Sequence, residues 1–236
     1  TGEGTLILKG VNTYTGDTQV NAGTLLVNNL TGSGTGSGNV TVNIVSTLGG
    51  MGSISGVVTV DGLISPGAML GSDSLIGQLT VGTLTANTGS YLFLQIGGAT
   101  VLDPVAVSAY QANPGSFVVP TAWTNSYAAG TTNHDQVNIT TEGVQTINSS
   151  IMISGDYLEG YTPAYGDVFH FVDWASLGTN NLGGAQDFFL PTLTGAMSWN
   201  TNLFSSHGII FVVPEPSRML LLFFGLMGLF FRRRRH

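Results

Sequence analysis

The sequence predicts an all-β protein: a parallel β-helix (solenoid) with an aromatic-richer C-terminal cap region, followed by one short C-terminal transmembrane helix. Three observations carry this expectation. Short Gly- and Thr-containing tripeptides return at intervals near 20 residues, no convincing amphipathic helix precedes the tail, and residues 219–231 are an unbroken apolar run. An antiparallel sandwich would also give many short strands and stands as the alternative architecture.

The repeats come first along the chain. Gly4-Thr5-Leu6 returns as Gly23-Thr24-Leu25 and as Gly82-Thr83-Leu84, while Val40-Thr41-Val42 returns as Val58-Thr59-Val60 and loosely as Leu79-Thr80-Val81. The first interval is 19 residues, and the second series is spaced by 18 and 21. Alternating runs such as Thr5–Leu8, Leu25–Val27 and Val57–Val60 are bounded by Gly, Asn or Asp, which reads as strands between turns. A period that holds several strands fits coils that bury small apolar residues only by stacking on their neighbours. At about 4.8 Å and about 20 residues per coil, the body would make a rod roughly 50 Å long.

The aromatic residues divide this body. Residues 1–90 hold one, Tyr14, whereas 91–217 hold 17, including Trp123, Trp174 and Trp199. A thin coil lined by Val, Ile and Leu has little room for rings. We therefore read 1–90 as a repeat solenoid and 91–212 as wider coils or a capping region. Rings exposed to stack on sugars are the rival use, weighed against the general burial of large aromatics.

Residues 213–236 form a third segment of three parts. In Val213-Pro214-Glu215-Pro216-Ser217 two prolines flank one residue, which holds the backbone extended, the form that peptide-cleaving enzymes bind. Met219–Phe231 supplies 13 apolar residues. As a helix it covers about 20 Å against a hydrocarbon core of roughly 30 Å, a gap that snorkelling side chains and local thinning close. A core helix of this size should show a polar face, and this run shows none. Arg232, Arg233, Arg234 and Arg235 then act as membrane stop and cytoplasmic anchor, with everything before Met219 outside.

Charge excludes several functions. Residues 1–217 contain one cation, Lys9, against all 13 carboxylates, a net charge of −12. Such a surface repels phosphate backbones, so no nucleic acid is expected as a partner. No Gly-Lys-Ser/Thr loop or arginine clamp serves phosphoryl transfer. The absence of cysteine removes disulfides, thiol nucleophiles and Cys-based metal sites. The chain begins at Thr1 inside repeat sequence without Met or an apolar leader, so a preceding segment with the export signal is expected.

Two stretches resemble known families. The order Pro214-Glu215-Pro216, short apolar helix, Arg cluster resembles the PEP-CTERM sorting signal of bacteria whose exported proteins are processed by an exosortase. The resemblance implies an address read by an exosortase-type transpeptidase and open to removal from the mature chain. This run is shorter and richer in Phe than the pattern, and Arg218 follows the motif directly. At the other end, Gly4 to Leu8, Gly10, Asn12 to Gly16, Thr18, Val20 and Ala22 to Leu25 are similar to the autotransporter-associated β-strand repeat. Gly34 to Gly38, Val40 to Val42, Leu48 to Gly50, Gly52 and Ser65-Pro66-Gly67 look like its sequel, and Tyr161-Thr162-Pro163 with Gly166 to Phe169 like its closing coils. This implies a passenger-like β-helical surface protein without a defined activity. The Pro-Glu-Pro tail stands where an outer-membrane barrel would follow.

Candidate catalytic groups are few. Asn133-His134-Asp135 invites a triad, but adjacent residues on a strand point to opposite faces, which favours a polar cluster at a rung end. His134, His170 and His207, spaced by 36 and 37, are the candidate metal stack, with incidental placement the more frequent outcome. Asp61, Asp73, Asp103, Asp156, Asp167 and Asp173 offer oxygen ligands for calcium without any recognised calcium loop. A polysaccharide lyase would need a cation near its substrate carboxylate, and the body offers Lys9 alone. A hydrolase needs converging carboxylates, and no tight acidic cluster occurs.

The expectation is a non-enzymatic exported surface or matrix protein with no catalytic residue, metal or cofactor. Its functional residues are Pro214, Glu215 and Pro216 for sorting and processing and Arg232 to Arg235 for anchoring. It is expected first as a membrane-anchored precursor, then in the cell envelope or extracellular matrix, with extracellular polysaccharide as a further partner. The alternatives are a carbohydrate-binding adhesin module and a β-helical polysaccharide-degrading enzyme.

Overall fold

The computed structural model describes residues 2–70, 73–124, 134–141, 146–148, 150–153, 158–174 and 187–215. The first part of the chain carries β1 (Thr5–Leu8), β2 (Thr18–Val20), β3 (Gly23–Val27), β4 (Val40–Val42), β5 (Ser46–Gly50), β6 (Ser53–Val60) and β7 (Leu63–Pro66). A short hairpin of β8 (Ala68–Leu70) and β9 (Asp73–Leu75) precedes β10 (Gln78–Ala86) and β11 (Tyr91–Leu94). Then come β12 (Val101–Leu102), helix α1 (Pro104–Ala112), β13 (Gln136–Ile139), β14 (Thr146–Ile147), β15 (Ser150–Ile153), β16 (Asp167–His170) and β17 (Val172–Asp173). The described chain closes with β18 (Phe188–Phe189), β19 (Met197–Asn200), α2 (Phe204–His207) and β20 (Ile209–Pro214).

The strands stack into two parallel sheets, as a β-solenoid requires. One runs β1-β3-β5-β7-β11-β15-β18, the other β2-β4-β6-β10-β13-β17 with β14 also on β10. Alternation along each strand places every second residue inside, so register turns sequence repeats into columns. Leu6, Leu25, Leu48, Ile64, Leu92, Ile151 and Phe188 are successive register partners on the first sheet. Val20, Val42, Val60, Ala86 and Ile147 face them from the second. Each column member is buried except at the ends, where Leu6 is 60% exposed and Phe188 is half-buried. Burying one such aliphatic side chain contributes about 1.5–3 kcal/mol, so stacking holds the coils together.

Two of the expected recurrences are true register partners. Thr5 and Leu6 lie on Thr24 and Leu25, and Val40-Thr41-Val42 lies on Val58-Thr59-Val60. The third members do not continue their series. Gly82-Thr83-Leu84 belongs to the opposite sheet from Gly23-Thr24-Leu25, and Leu79-Thr80-Val81 does not stand on Val58–Val60. Leu84-Thr85-Ala86 does. The cause is β10, a nine-residue strand with a register shift between Val81 and Thr83 that absorbs both recurrences. Nor does the period stay near 20: partners on the first sheet are 19, 23, 16, 28, 59 and 37 residues apart. Among the described residues, long excursions between rungs leave seven rungs, about 29 Å at about 4.8 Å each, against the roughly 50 Å expected.

Coil corners are closed by polar side chains that span rungs. Five strands of the second sheet, β2, β4, β6, β10 and β14, are followed by Asn or Asp, at Asn21, Asn43, Asp61, Asn87 and Asn148, and each backbone N–H from Asn43 onward donates to the coil before it. Asn43 Nδ2 also donates to Asn21 Oδ1 at 2.5 Å, and Asn87 Nδ2 to Asp61 Oδ1 at 2.7 Å. At another corner Gly36 adopts φ 65°, and any Cβ there would overlap the Tyr14 carbonyl oxygen, so only glycine fits.

The longest excursion holds a helix that the sequence reading did not anticipate. Asp103 caps α1 by accepting from the Ala106 N–H at 2.9 Å, and Pro104 sits at its first turn, a favoured start. Its apolar stripe is only Val107 and Tyr110, too narrow to register as periodicity. The helix packs on a four-stranded antiparallel sheet, β12-β16-β20-β19. Between them lies a second core of Val107, Tyr110, Trp123, Val168, Ile209, Phe211 and Val213. Phe169, Phe171 and Phe204 sit on the solenoid side and join the coil core.

Candidate functional site

Strand β20 links the body to the tail. Ile209–Val213 is an apolar run without alternation, which fits a strand covered on both faces. Ile210 and Val212 enter the coil core, while Ile209, Phe211 and Val213 enter the cap core. On one side β20 pairs with β16, Phe211 opposite Val168. On the other it pairs with β19, with Val212 opposite Trp199 and Pro214 opposite Met197. Pro214, which lacks an N–H, is the last residue of the strand, where its missing donor is tolerated.

The ladder is extended by one bond. Glu215 donates its N–H to the Ala196 carbonyl at 3.0 Å, and both Pro214 and Glu215 are half-buried. The start of the Pro-Glu-Pro segment is therefore attached to the folded body without a spacer. Pro216, Met219–Phe231 and Arg232 to Arg235 lie outside the described residues. Among the described residues no helix is long and apolar enough to cross a membrane.

The histidines and acids of the body have other tasks. His134 and Asp135 are both buried, and their side chains turn to different partners. Asp135 Oδ1 accepts from the Gly77 N–H and Oδ2 from the Gln95 N–H, each at 2.9 Å. His134 Nδ1 lies 2.9 Å from the Asp135 backbone oxygen and Nε2 2.6 Å from Thr100 Oγ1, which itself accepts from the His170 N–H at 2.9 Å. With the ring neutral, Nδ1–H donates to the carbonyl and Nε2 accepts the threonine proton. Burial, reinforced by neighbouring His170, lowers the His134 pKa from an ordinary 6.5 to about 4, while burial raises that of Asp135.

This gives a signed expectation. The unfolded chain takes a proton on His134 that the folded chain refuses, so its contribution is present above pH 6.5 and is lost as pH falls toward 4. The raised Asp135 acts oppositely, losing stability as pH rises above its ordinary range. Comparison with His134→Gln isolates the histidine. Between pH 7 and 4 the wild type is expected to lose about 3 kcal/mol relative to that variant in denaturant titrations. A pH-independent difference would contradict the assignment.

His207 lies in α2 with Nδ1 2.8 Å from Ser206 Oγ, and the three histidines form no metal stack. Among the described residues no three His, Asp or Glu side chains are grouped to hold a metal ion. Three of the six aspartates that offered oxygen ligands, Asp61, Asp103 and Asp167, are hydrogen-bonded to neighbouring groups. Asp103 Oδ2 accepts from Trp123 Nε1 at 3.0 Å, and Asp167 Oδ2 accepts from Tyr161 Oη and from the Ala164 N–H. Asp61 takes Asn87, whereas Asp156 lies outside the described residues. The stretch from Tyr161 to Asp167 is thus a turn into β16, stapled by its own aspartate.

The comparisons with known proteins fall on the two ends of the chain. Residues 1–27 match the passenger-associated-transport-repeat, and residues 212–235 match the PEP-CTERM protein-sorting motif. The first match spans β1 to β3, one coil of the solenoid; the second begins inside β20. No curated protein and no solved structure matches the chain. The chain carries an export address of the exosortase type, and its body is mostly β, two parallel sheets stacked as coils beside a four-stranded antiparallel sheet that carries helix α1.

Sequence reasoning placed the motif but missed what receives it. The Gly195-Ala196 corner ahead of β19 carries no signal in residue type, because only its backbone conformation sets it apart.

Proposed function

We propose that this chain is a non-enzymatic structural protein of the cell surface or extracellular matrix, delivered as a membrane-held precursor and released to its destination by an exosortase-type transpeptidase. Pro214, Glu215 and Pro216 are the recognition and processing segment. Met219–Phe231 stops transfer in the bilayer, and Arg232 to Arg235 hold the cytoplasmic end. The observation that carries the reading is the overlap of the sorting motif with β20, which ends at Pro214. A cut beyond that point removes no residue of either core, so the body keeps its fold when the tail is lost. The coil surface is poor in charge, and the inward columns of its strands are aliphatic, which suits a stable scaffold.

Producing cells with and without the transpeptidase test this. The reading expects a shortened chain outside the membrane fraction in the first and a full-length membrane-bound chain in the second. Equal size and equal distribution in both would refute it.

A further inference from the structure

Among the described residues Ala196 is the one non-glycine with a positive φ, 62°, and it follows Gly195 at φ 76°. Residues with a Cβ avoid this region, so an alanine held there is strained, and such outliers often mark functional positions. The bend aims the Ala196 carbonyl at the Glu215 amide, 3.0 Å away, one step beyond the last ladder pair, Met197 with Pro214. Prolines have no N–H, so within Pro214-Glu215-Pro216 the Glu215 amide is the only backbone donor. Enzymes that bind an extended peptide as an added strand draw on such donors. Here that donor is already taken.

We propose that the Gly195-Ala196 corner is a latch that holds the sorting motif against the folded body, and that processing waits on its release. The inference rests on the reading of residues 212–235 as a processed signal. Ala196 is a positioning residue in it. Its strain keeps the latch weak enough to open, where glycine would close it more firmly. A peptidase that competes for the Glu215 N–H therefore meets a smaller barrier with alanine at 196 than with glycine.

Two variants move the latch in opposite directions. Ala196→Gly removes the strain and is expected to slow both hydrogen exchange at the Glu215 amide and pulse–chase maturation by about five- to tenfold. Ala196→Val, a β-branched residue in the same conformation, is expected to speed both. Thermal unfolding of the purified body shows whether the valine variant still folds; if it does not, the glycine variant alone decides. A body stabilised at a distant site is expected to mature at the wild-type rate, which separates the latch from general stability. If wild type matures and Ala196→Gly matures equally fast while its Glu215 amide exchanges more slowly, the latch is overturned. An unprocessed wild-type chain overturns both the latch and the sorting reading beneath it.

Discussion

A chain carrying Glu215→Ala together with Pro216→Ala is expected to accumulate at full length in the membrane fraction, with its matured form reduced to background. The two substitutions remove the carboxylate and one of the two rings that keep the segment extended, the features a transpeptidase has for recognition. Glu215 stands beyond both cores and its backbone N–H survives the change to alanine, so the bond to Ala196 remains available. A substitution at Glu215, which touches neither core, is expected to shift stability by less than about 0.5 kcal/mol. Circular dichroism and thermal midpoint should therefore match the wild type while maturation fails. Normal maturation of the double variant would sever the motif from sorting.

Trp123→Ala is expected to cost the most stability of any single change in the cap. The ring is fully buried and meets Phe117 and Phe211 at centroid distances of 5.4 and 5.5 Å. Removing a buried aromatic of this size costs about 3–5 kcal/mol, a large part of the 5–15 kcal/mol that holds a typical domain together. A second loss follows at Asp103, whose Oδ2 accepts from the indole while Oδ1 caps α1. Trp123→Phe keeps most of the ring and forfeits the hydrogen bond, so about 1 kcal/mol is expected there. Denaturant titration of both variants separates packing from the bond. An alanine variant less than about 1 kcal/mol below wild type would mean that α1 and its core do not depend on this ring.

How far the fold can be read from the sequence depends on which residues touch. Gly4-Thr5-Leu6 and Gly23-Thr24-Leu25 announce their contact because a 19-residue coil puts like on like. The same logic fails at Gly82-Thr83-Leu84, since a register shift inside β10 is a backbone event that no side chain advertises. The Asn and Asp corners repeat as Val-Asn or Val-Asp at Val20, Val42 and Val60. Those pairs become visible as a column only once the coil lengths of 22 and 18 are known. Helix α1 was hidden because nine residues with two buried side chains leave almost no amphipathic trace, although Asp103-Pro104 is a recognisable start.

The site shows the same split. Pro-Glu-Pro, apolar run and Arg cluster are legible because a sorting motif is defined by residue type and order, which sequence states directly. That β20 runs through residue 213, where the sequence reading divides body from signal, is a matter of pairing with β16 and β19. Partners brought together across 18 residues, Ala196 and Glu215, appear only in the fold.

The most direct measurement is mass spectrometry of the C-terminal peptide of the protein taken from the envelope and secreted fractions of its producing cell. A mature end at or near Pro214 to Ser217 is expected, with β20 intact and the apolar run and arginines gone. A chain still ending at His236 in the membrane fraction, with no shortened form elsewhere, would contradict this expectation.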